Sequence, residues 1–328
     1  SCVIRNNGQM GFGARVEDFQ MTQCVVENNN TKNYDRGWEA GGCKLALCRN
    51  AVIENCIFRE NRGNGIWFDI GNEACTVRNC LIAHNEDAGI FYEISYGLRA
   101  HDNVIIGNGF ARRPDSWGAN AGIALSSSSR CVVERNLLIG NKEGFQFREQ
   151  RRTTRRLGHG DDEYAIWNHD HTVRNNVIAY NCDRQTGGWF DVADASHWPK
   201  VMQTDRTEKA FSTKETVRKD TDLDSLKQRP AGLSLEDLRL NLSDNLYAVK
   251  PHQGLYLWGC PWHKHETYGT LEEVRRSLSV EHGSRLGEVA LADWAARDLR
   301  VPQDSPAVQM KCYPQGEVPG VRLGVMGK

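Results

Sequence analysis

The chain repeats itself closely enough to dictate its architecture. Gly65-Ile66-Trp67-Phe68-Asp69-Ile70 returns 24 residues later as Gly89-Ile90-Phe91-Tyr92-Glu93-Ile94, with carboxylate on carboxylate. An Asn inside a short apolar phrase, V-x-N-x-x-I at Asn79 and close variants of it elsewhere, with a second Asn five or six residues on, recurs at Asn55/Asn61, Asn79/Asn85, Asn103/Asn108, Asn136/Asn141 and Asn176/Asn181. The first two steps are 24 residues each, and later ones widen to 33 and 40, as insertions between equivalent points would make them. Between the Asn and Gly residues lie short alternating runs. Period-2 patterning predicts strands, and Asn tolerates the left-handed turn conformation. Short strands at this period are expected to wind into an all-β, right-handed parallel β-helix, each repeat forming one rung. Leucine-rich repeats share the period but require L-x-x-L-x-L, which is absent.

The whole chain, 1–328, reads as one such domain, with the coil extending to about residue 260. Two polar, aperiodic stretches, 149–170 and 194–237, read as loop insertions, which in a compact fold usually have a function. They are expected to overhang the outward side chains and narrow a groove. Residues 261–328 read as a capping segment. Within it, 269–278 predicts a short helix with Thr270 as N-cap and Glu273 three residues on. Residues 300–328 are expected to be extended and to close the last rung, because an open β-helix end must be covered. Ser1-Cys2-Val3-Ile4 already reads as strand, so the chain is expected to be the C-terminal part of a longer one.

Composition excludes several classes. A net charge of −1 provides no global basic field for nucleic acid or an anionic membrane. No stretch approaches the roughly 18 apolar residues of a transmembrane helix. The 11 cysteines are odd in number and lack paired Cys-x-x-Cys motifs, so no metal site is expected. Cys24, Cys75 and Cys131 each open a repeat, and Cys56 and Cys80 match one repeat apart. Reduced thiols stacked in the core are expected, since free cysteine packs as a small hydrophobe. His159, His169 and His171 lack metal-ligand spacing and read as loop histidines.

Aligning the rungs sorts side chains into inward and outward columns, because they alternate along a strand. Ile66, Ile90, Ile123, Phe145 and Leu255 form one inward column; Phe68, Tyr92, Leu125, Phe147, Phe190 and Leu257 form another. One outward column reads Lys44, Trp67, Phe91, Ala124, Gln146, Trp189, Tyr256. Its neighbour reads Ala46, Asp69, Glu93, Ser126, Arg148, Asp191, Trp258. Rungs stack at about 4.8 Å, so Asp69 and Glu93 are expected side by side. Like charges directly opposite destabilise a sheet, so folding alone would not select them. Proximity should raise one pKa and leave the other group ionised.

That is the arrangement glycoside hydrolysis requires. Carboxyls about 5–5.5 Å apart suit a retaining mechanism, with one as nucleophile and one as acid, then base. Glu39 is a third acid within reach. Trp38, Trp67, Phe91 and Trp189 offer aromatic faces for a sugar, and Lys44, Arg148 and Asp191 offer polar groups. The expected partner is a carbohydrate, and no cofactor is required.

The strings Trp38 to Lys44 (W-E-A-G-G-x-K), Gly65 to Asp69 (G-I-W-x-D), Gly89 to Gly97 (G-I-F-x-E-I-S-x-G) and Asp102 to Val104 resemble bacterial right-handed β-helix carbohydrate-active proteins. The nearest family with assigned chemistry is glycoside hydrolase family 120, which contains β-xylosidases. The resemblance covers residues 36–108. It implies Asp69 as nucleophile, Glu93 as acid/base and Glu39 as supporting acid, acting on a plant- or algal-type saccharide outside the cytoplasm, secreted or periplasmic.

Two other readings compete. A polysaccharide lyase would need a base such as Lys44 or Arg148 and a cation to neutralise a uronate, often Ca²⁺, which Glu39, Asp69 and Glu93 could hold. No basic cluster is expected to dominate that face. A non-catalytic carbohydrate-binding β-helix would use the aromatics alone and has no need of paired acids.

Overall fold

A computed structural model describes residues 1–112, 120–150, 152–190, 218–230, 235–259, 265–293 and 298–316. Its chain winds through three parallel sheets in fixed rotation, so that sequence neighbours lie in different sheets and sheet neighbours lie one rung apart. The first sheet begins at Val3–Arg5 and runs through Val104–Ile106 to Leu246–Ala248, with Arg285–Leu286 at its end. The second carries Gly41–Leu45, Asn64–Asp69, Ile90–Glu93, Ala121–Ser126, Glu143–Glu149, Arg184–Phe190 and Gly254–Gly259. A third, of three-residue strands, runs from Gln20–Thr22 to Asn241–Ser243. This is the right-handed parallel β-helix that the repeat predicts.

Polar ladders hold the turns. Asn61 Nδ2 donates to Asn85 Oδ1, Asn85 Nδ2 to Asn108 Oδ1, and Asn108 Nδ2 to Asn141 Oδ1, each at 2.9 Å. Asn141 continues the ladder to Asn181 at 3.1 Å. Buried backbone groups at a corner need partners, and each amide also bonds a carbonyl of the previous rung, as Asn108 does with Ile82 O at 3.0 Å. Asn108→Ala would remove the acceptor of the Asn85 backbone N–H, one of the two acceptors of the Asn85 side-chain amide, and the donor to the Ile82 carbonyl. The expected loss is about 3 kcal/mol, read by urea unfolding; an unchanged midpoint would show that water replaces the ladder.

The other repeated Asn is not one column but two. Asn103, Asn136 and Asn176 form an inward ladder, with Nδ2 to Oδ1 distances of 2.9 and 3.0 Å. Asn55 and Asn79 do not belong to it. They sit one position earlier, with φ of 54° and 51°, alongside Asp102, Arg135 and Asn175. Cys56 and Cys80 take the ladder positions instead, and the Cys80 N–H donates to Asn103 Oδ1 at 3.0 Å. The ten described cysteines are free thiols, eight of them buried.

The inward columns Ile66/Ile90/Ile123/Phe145 and Phe68/Tyr92/Leu125/Phe147 follow the expected register. Beyond Phe147 they do not. Phe145 and Phe147 pair with Thr186 and Gly188, and these pair with Tyr256 and Trp258. Tyr256 and Trp258 therefore occupy the positions expected for Leu255 and Leu257, and Phe190 lies opposite Glu149. The cause is the Gly187-Gly188 pair. A Cβ on Gly188 would come within 2.4 Å of the Trp258 ring, so the missing side chain makes room for that indole.

The helix Leu271–Leu278 has the expected Thr270/Glu273 capping box. It follows the antiparallel strand His265–Tyr268, which pairs with Gly254–Gly259 at the end of the second sheet. The described C-terminal residues do not close the last rung. Val289, Leu299, Ala307 and Cys312 instead pack on the outer face of the first sheet, against residues such as Leu137 and Val177. Their route brings the Gln315 N–H to Asp102 Oδ1 at 3.0 Å, many rungs back. The apolar outer face of that sheet explains the route, because it needs cover. Among the described residues no helix is long and apolar enough to cross a membrane.

Candidate active site

The outward face of the second sheet builds a cavity of about 520 Å³, lined among others by Trp38, Glu39, Lys44, Trp67, Asp69, Phe91, Glu93, Arg148 and Arg152. Its floor is set by register. Lys44 pairs with Trp67, Trp67 with Phe91, and Asp69 with Glu93. Glu93 pairs with Ser126, and Ser126 with Arg148. The Trp67 and Phe91 rings stack at 5.7 Å and 26°, forming an apolar step beside the acids.

Both carboxyls point away from the coil, yet each residue is only 7% exposed. Their environments differ. Lys44 Nζ is 2.9 Å from Asp69 Oδ2, lies 4.0 Å from the Trp67 ring centroid, and donates to Trp38 O at 3.0 Å. Asp69 Oδ1 is buried and makes no hydrogen bond. Asp69 thus has one oxygen in an ion pair and one bare. Burial pushes the Glu93 carboxyl up to about 7, the Asp69 charge adds to the rise, and Arg148, Arg152 and the Trp67 indole oppose it. The Trp67 N–H is near enough to act electrostatically without closing a hydrogen bond of normal geometry.

Trp38 is 69% exposed and Glu39 is exposed beside it, both at the rim. Trp189 is absent from the residues lining the cavity. It pairs in register with Arg148 rather than with Gln146, and the Arg148 guanidinium lies 4.5 Å from its ring centroid. Its role is to back the arginine. Asp191 lies outside the described residues.

Sequence reasoning missed Arg36 and Arg152, which also line the cavity. Arg152 comes from an antiparallel hairpin, Arg152–Arg155 against Glu163–Ile166, in the stretch expected to be an aperiodic loop. Its Nη1 is 3.9 Å from Glu93 Oε1. The expectation that no basic cluster marks this face is therefore corrected, since Arg36, Lys44, Arg148 and Arg152 all reach it. The only signal was position: the run Glu149 to Arg152 follows directly on an outward column. His169 and His171 are buried within the coil rather than loop histidines. Among the described residues no group of three or more His, Cys, Asp or Glu could hold a metal ion.

A family model described as the right-handed beta helix region matches residues 1–138. Three solved structures are similar at low identity. The mannuronan C-5 epimerase AlgE6 A-module of Azotobacter vinelandii has 13% identity and a TM-score of 0.41, over 87% of this chain and 81% of that one. A GH136 lacto-N-biosidase from Eubacterium ramulus has 9% identity and a TM-score of 0.36, over 77% and 43%. XylC in complex with xylose has 10% identity and a TM-score of 0.22, over 73% and 53%. None of the three is described as a member of glycoside hydrolase family 120. No curated protein matches the sequence. The class that the strand register defines is a right-handed parallel β-helix with a carboxylate-bearing cavity on its second sheet.

Proposed function

We propose that the protein is a glycoside hydrolase working by a retaining, two-carboxylate mechanism. One observation carries the reading: two carboxyls in register on adjacent rungs, in one cavity, one ion-paired and the other with its pKa raised to about 7. Such a pair divides into a nucleophile and an acid/base. Asp69 is the nucleophile, attacking the anomeric carbon through its bare oxygen as Glu93 protonates the departing oxygen. Glu93 then takes a proton from the water that releases the glycosyl-enzyme. Trp67, Phe91 and the rim Trp38 offer faces for sugar rings, and Glu39 at the rim is the supporting acid. No cofactor enters these steps.

A second reading is favoured by the arginines. A substrate carrying a uronate would place its carboxylate near Arg148 and Arg152, as a lyase requires. Lys44 is poorly placed to be the base of that reaction, since its ammonium is already engaged by Asp69 Oδ2 at 2.9 Å. The same ammonium competes with any calcium ion for Asp69. A panel of aryl and natural glycosides separates the readings. Hydrolysis releases reducing sugar without an unsaturated product, elimination gives the ultraviolet-absorbing unsaturated sugar, and a binding module gives neither. Reducing sugar alone is the expected result; the unsaturated product would overturn it.

A further inference from the structure

A carboxylate from the second insertion is buried where burial is costly. Asp224, from the described stretch 218–230, is 1% exposed. It accepts from Ser129 Oγ at 2.6 Å, pairs with Arg130 Nη2 at 2.7 Å, and lies 3.2 Å from His169 Nε2. Taking a carboxylate out of water is costly, and the cost is offset only where the group is paired and hydrogen-bonded; here the coil provides the partners. Burial pushes the His169 imidazole down, but Asp170 and Asp224 more than reverse this, and its pKa ends raised. Burial also acts to raise Asp224, yet His169, Ser129 and Arg130 bring it below the usual carboxylate range. The coil therefore favours the charged forms of both groups.

What Asp224 anchors is the hairpin. The Ala165 N–H donates to Leu226 O at 2.9 Å. Lys227 pairs with Asp162 at 2.8 Å and lies 4.3 Å from the Tyr164 ring centroid. Arg156 donates to Asp224 O at 3.3 Å, while its other contacts reach Glu73 at 3.4 Å and the Tyr96 ring at 4.8 Å. The hairpin is thus clamped between the coil and a segment that Asp224 pins to the coil. At its base stands Arg152, whose guanidinium reaches Glu93.

We propose that Asp224 is a positioning residue for the cavity: by pinning residues 218–230 to the coil, it holds the hairpin so that the Arg152 guanidinium stays beside Glu93. The functional consequence rests on Glu93 being the acid/base, but the geometric link does not depend on turnover. Glu93 is faced by Asp69 and Lys44 from the earlier rungs, Arg148 from a later one, Arg152 from the hairpin, and Glu39 at the cavity rim. Of these, Arg152 alone is carried by the hairpin.

The test follows Glu93 by carboxyl ¹³C NMR in the full chain. Arg152→Gln should raise its titration midpoint by roughly half a pH unit, because one of the charges favouring the ionised form is removed. Asp224→Asn should raise it by a similar amount, and the double variant should move no further than Arg152→Gln alone. Arg156→Gln, which loosens the clamp without burying a new group, gives the second route if Asp224→Asn folds poorly. Unmoved midpoints in Asp224→Asn and Arg156→Gln, or full additivity with Arg152→Gln, would overturn the proposal and leave Asp224 as an anchor only. Should no glycoside be cleaved while the midpoints shift as expected, the hydrolase reading fails and the positioning role stands.

Discussion

Asp69→Asn should abolish turnover, lowering kcat by on the order of 10⁴-fold or more on every substrate, whatever its leaving group. Asn is nearly isosteric, so the strand Asn64–Asp69 keeps its register with Ile90–Glu93. What disappears is the nucleophile, together with the partner of Lys44 at 2.9 Å. The loss should appear equally on aryl glycosides and natural ones, because no covalent glycosyl-enzyme can form on an amide. Steady-state kinetics with both substrate types measure it. Activity within tenfold of the parent protein on either type would remove Asp69 from the mechanism.

Glu93→Gln should behave differently. Its carboxyl is protonated over part of the neutral range, because burial and the Asp69 charge push it up to about 7. A proton donor matters in proportion to the basicity of the leaving group. The variant should therefore lose about 10³-fold on natural glycosides and much less on activated aryl glycosides. In the parent protein kcat/KM should fall as pH rises through about 7, where Glu93 gives up its proton, and that limb should be missing in the variant. Stability offers a second readout. A carboxyl with a raised folded-state pKa contributes stability that is fully present below its unfolded value, about 4.3. That contribution is lost as pH rises through about 7. The Tm difference between Glu93→Gln and the parent should accordingly move in favour of the variant across that window. A flat difference would mean that Glu93 is solvated and its pKa ordinary.

Much of the coil and the centre of the cavity were legible because they are local and periodic. Asp69 and Glu93 stand at the same place in two near-identical strings, and parallel pairing turns sequence equivalence into spatial contact. The register was readable as far as Arg148 for the same reason. It failed at the next rung, where Gly187-Gly188 replaces side chains that would mark the alternation. The expected alignment is off there by two residues, which leaves Trp189 outward but opposite Arg148. At Gly254–Gly259 it is off by one residue, which exchanges inside for outside and places Tyr256 and Trp258 in the inward column. The repeated Asn misled in a related way. Left-handed Asn55 and Asn79 sit next to the ladder position, and where Cys56 and Cys80 fill the ladder only the neighbour remains as a marker. Arg152 and Asp224 left almost no trace. Both lie in polar stretches without period, and their placement arises from how an antiparallel hairpin and a docked segment pack, which no repeat encodes. The C-terminal segment was misread for a different reason. The apolar outer positions of the first sheet, such as Leu137 and Val177, pointed to a covered face, and that face drew the chain away from the coil's end.

The pairing of Asp69 as nucleophile with Glu93 as acid/base is tested most directly by the first-formed anomer. A glycoside that the protein cleaves is followed by ¹H NMR during the first minutes, before mutarotation, with Asp69→Asn run alongside. The account predicts a product of retained configuration from the parent protein and none from the variant. A product of inverted configuration would contradict it and make Glu39 the candidate base of an inverting pair; full activity in Asp69→Asn would contradict it outright.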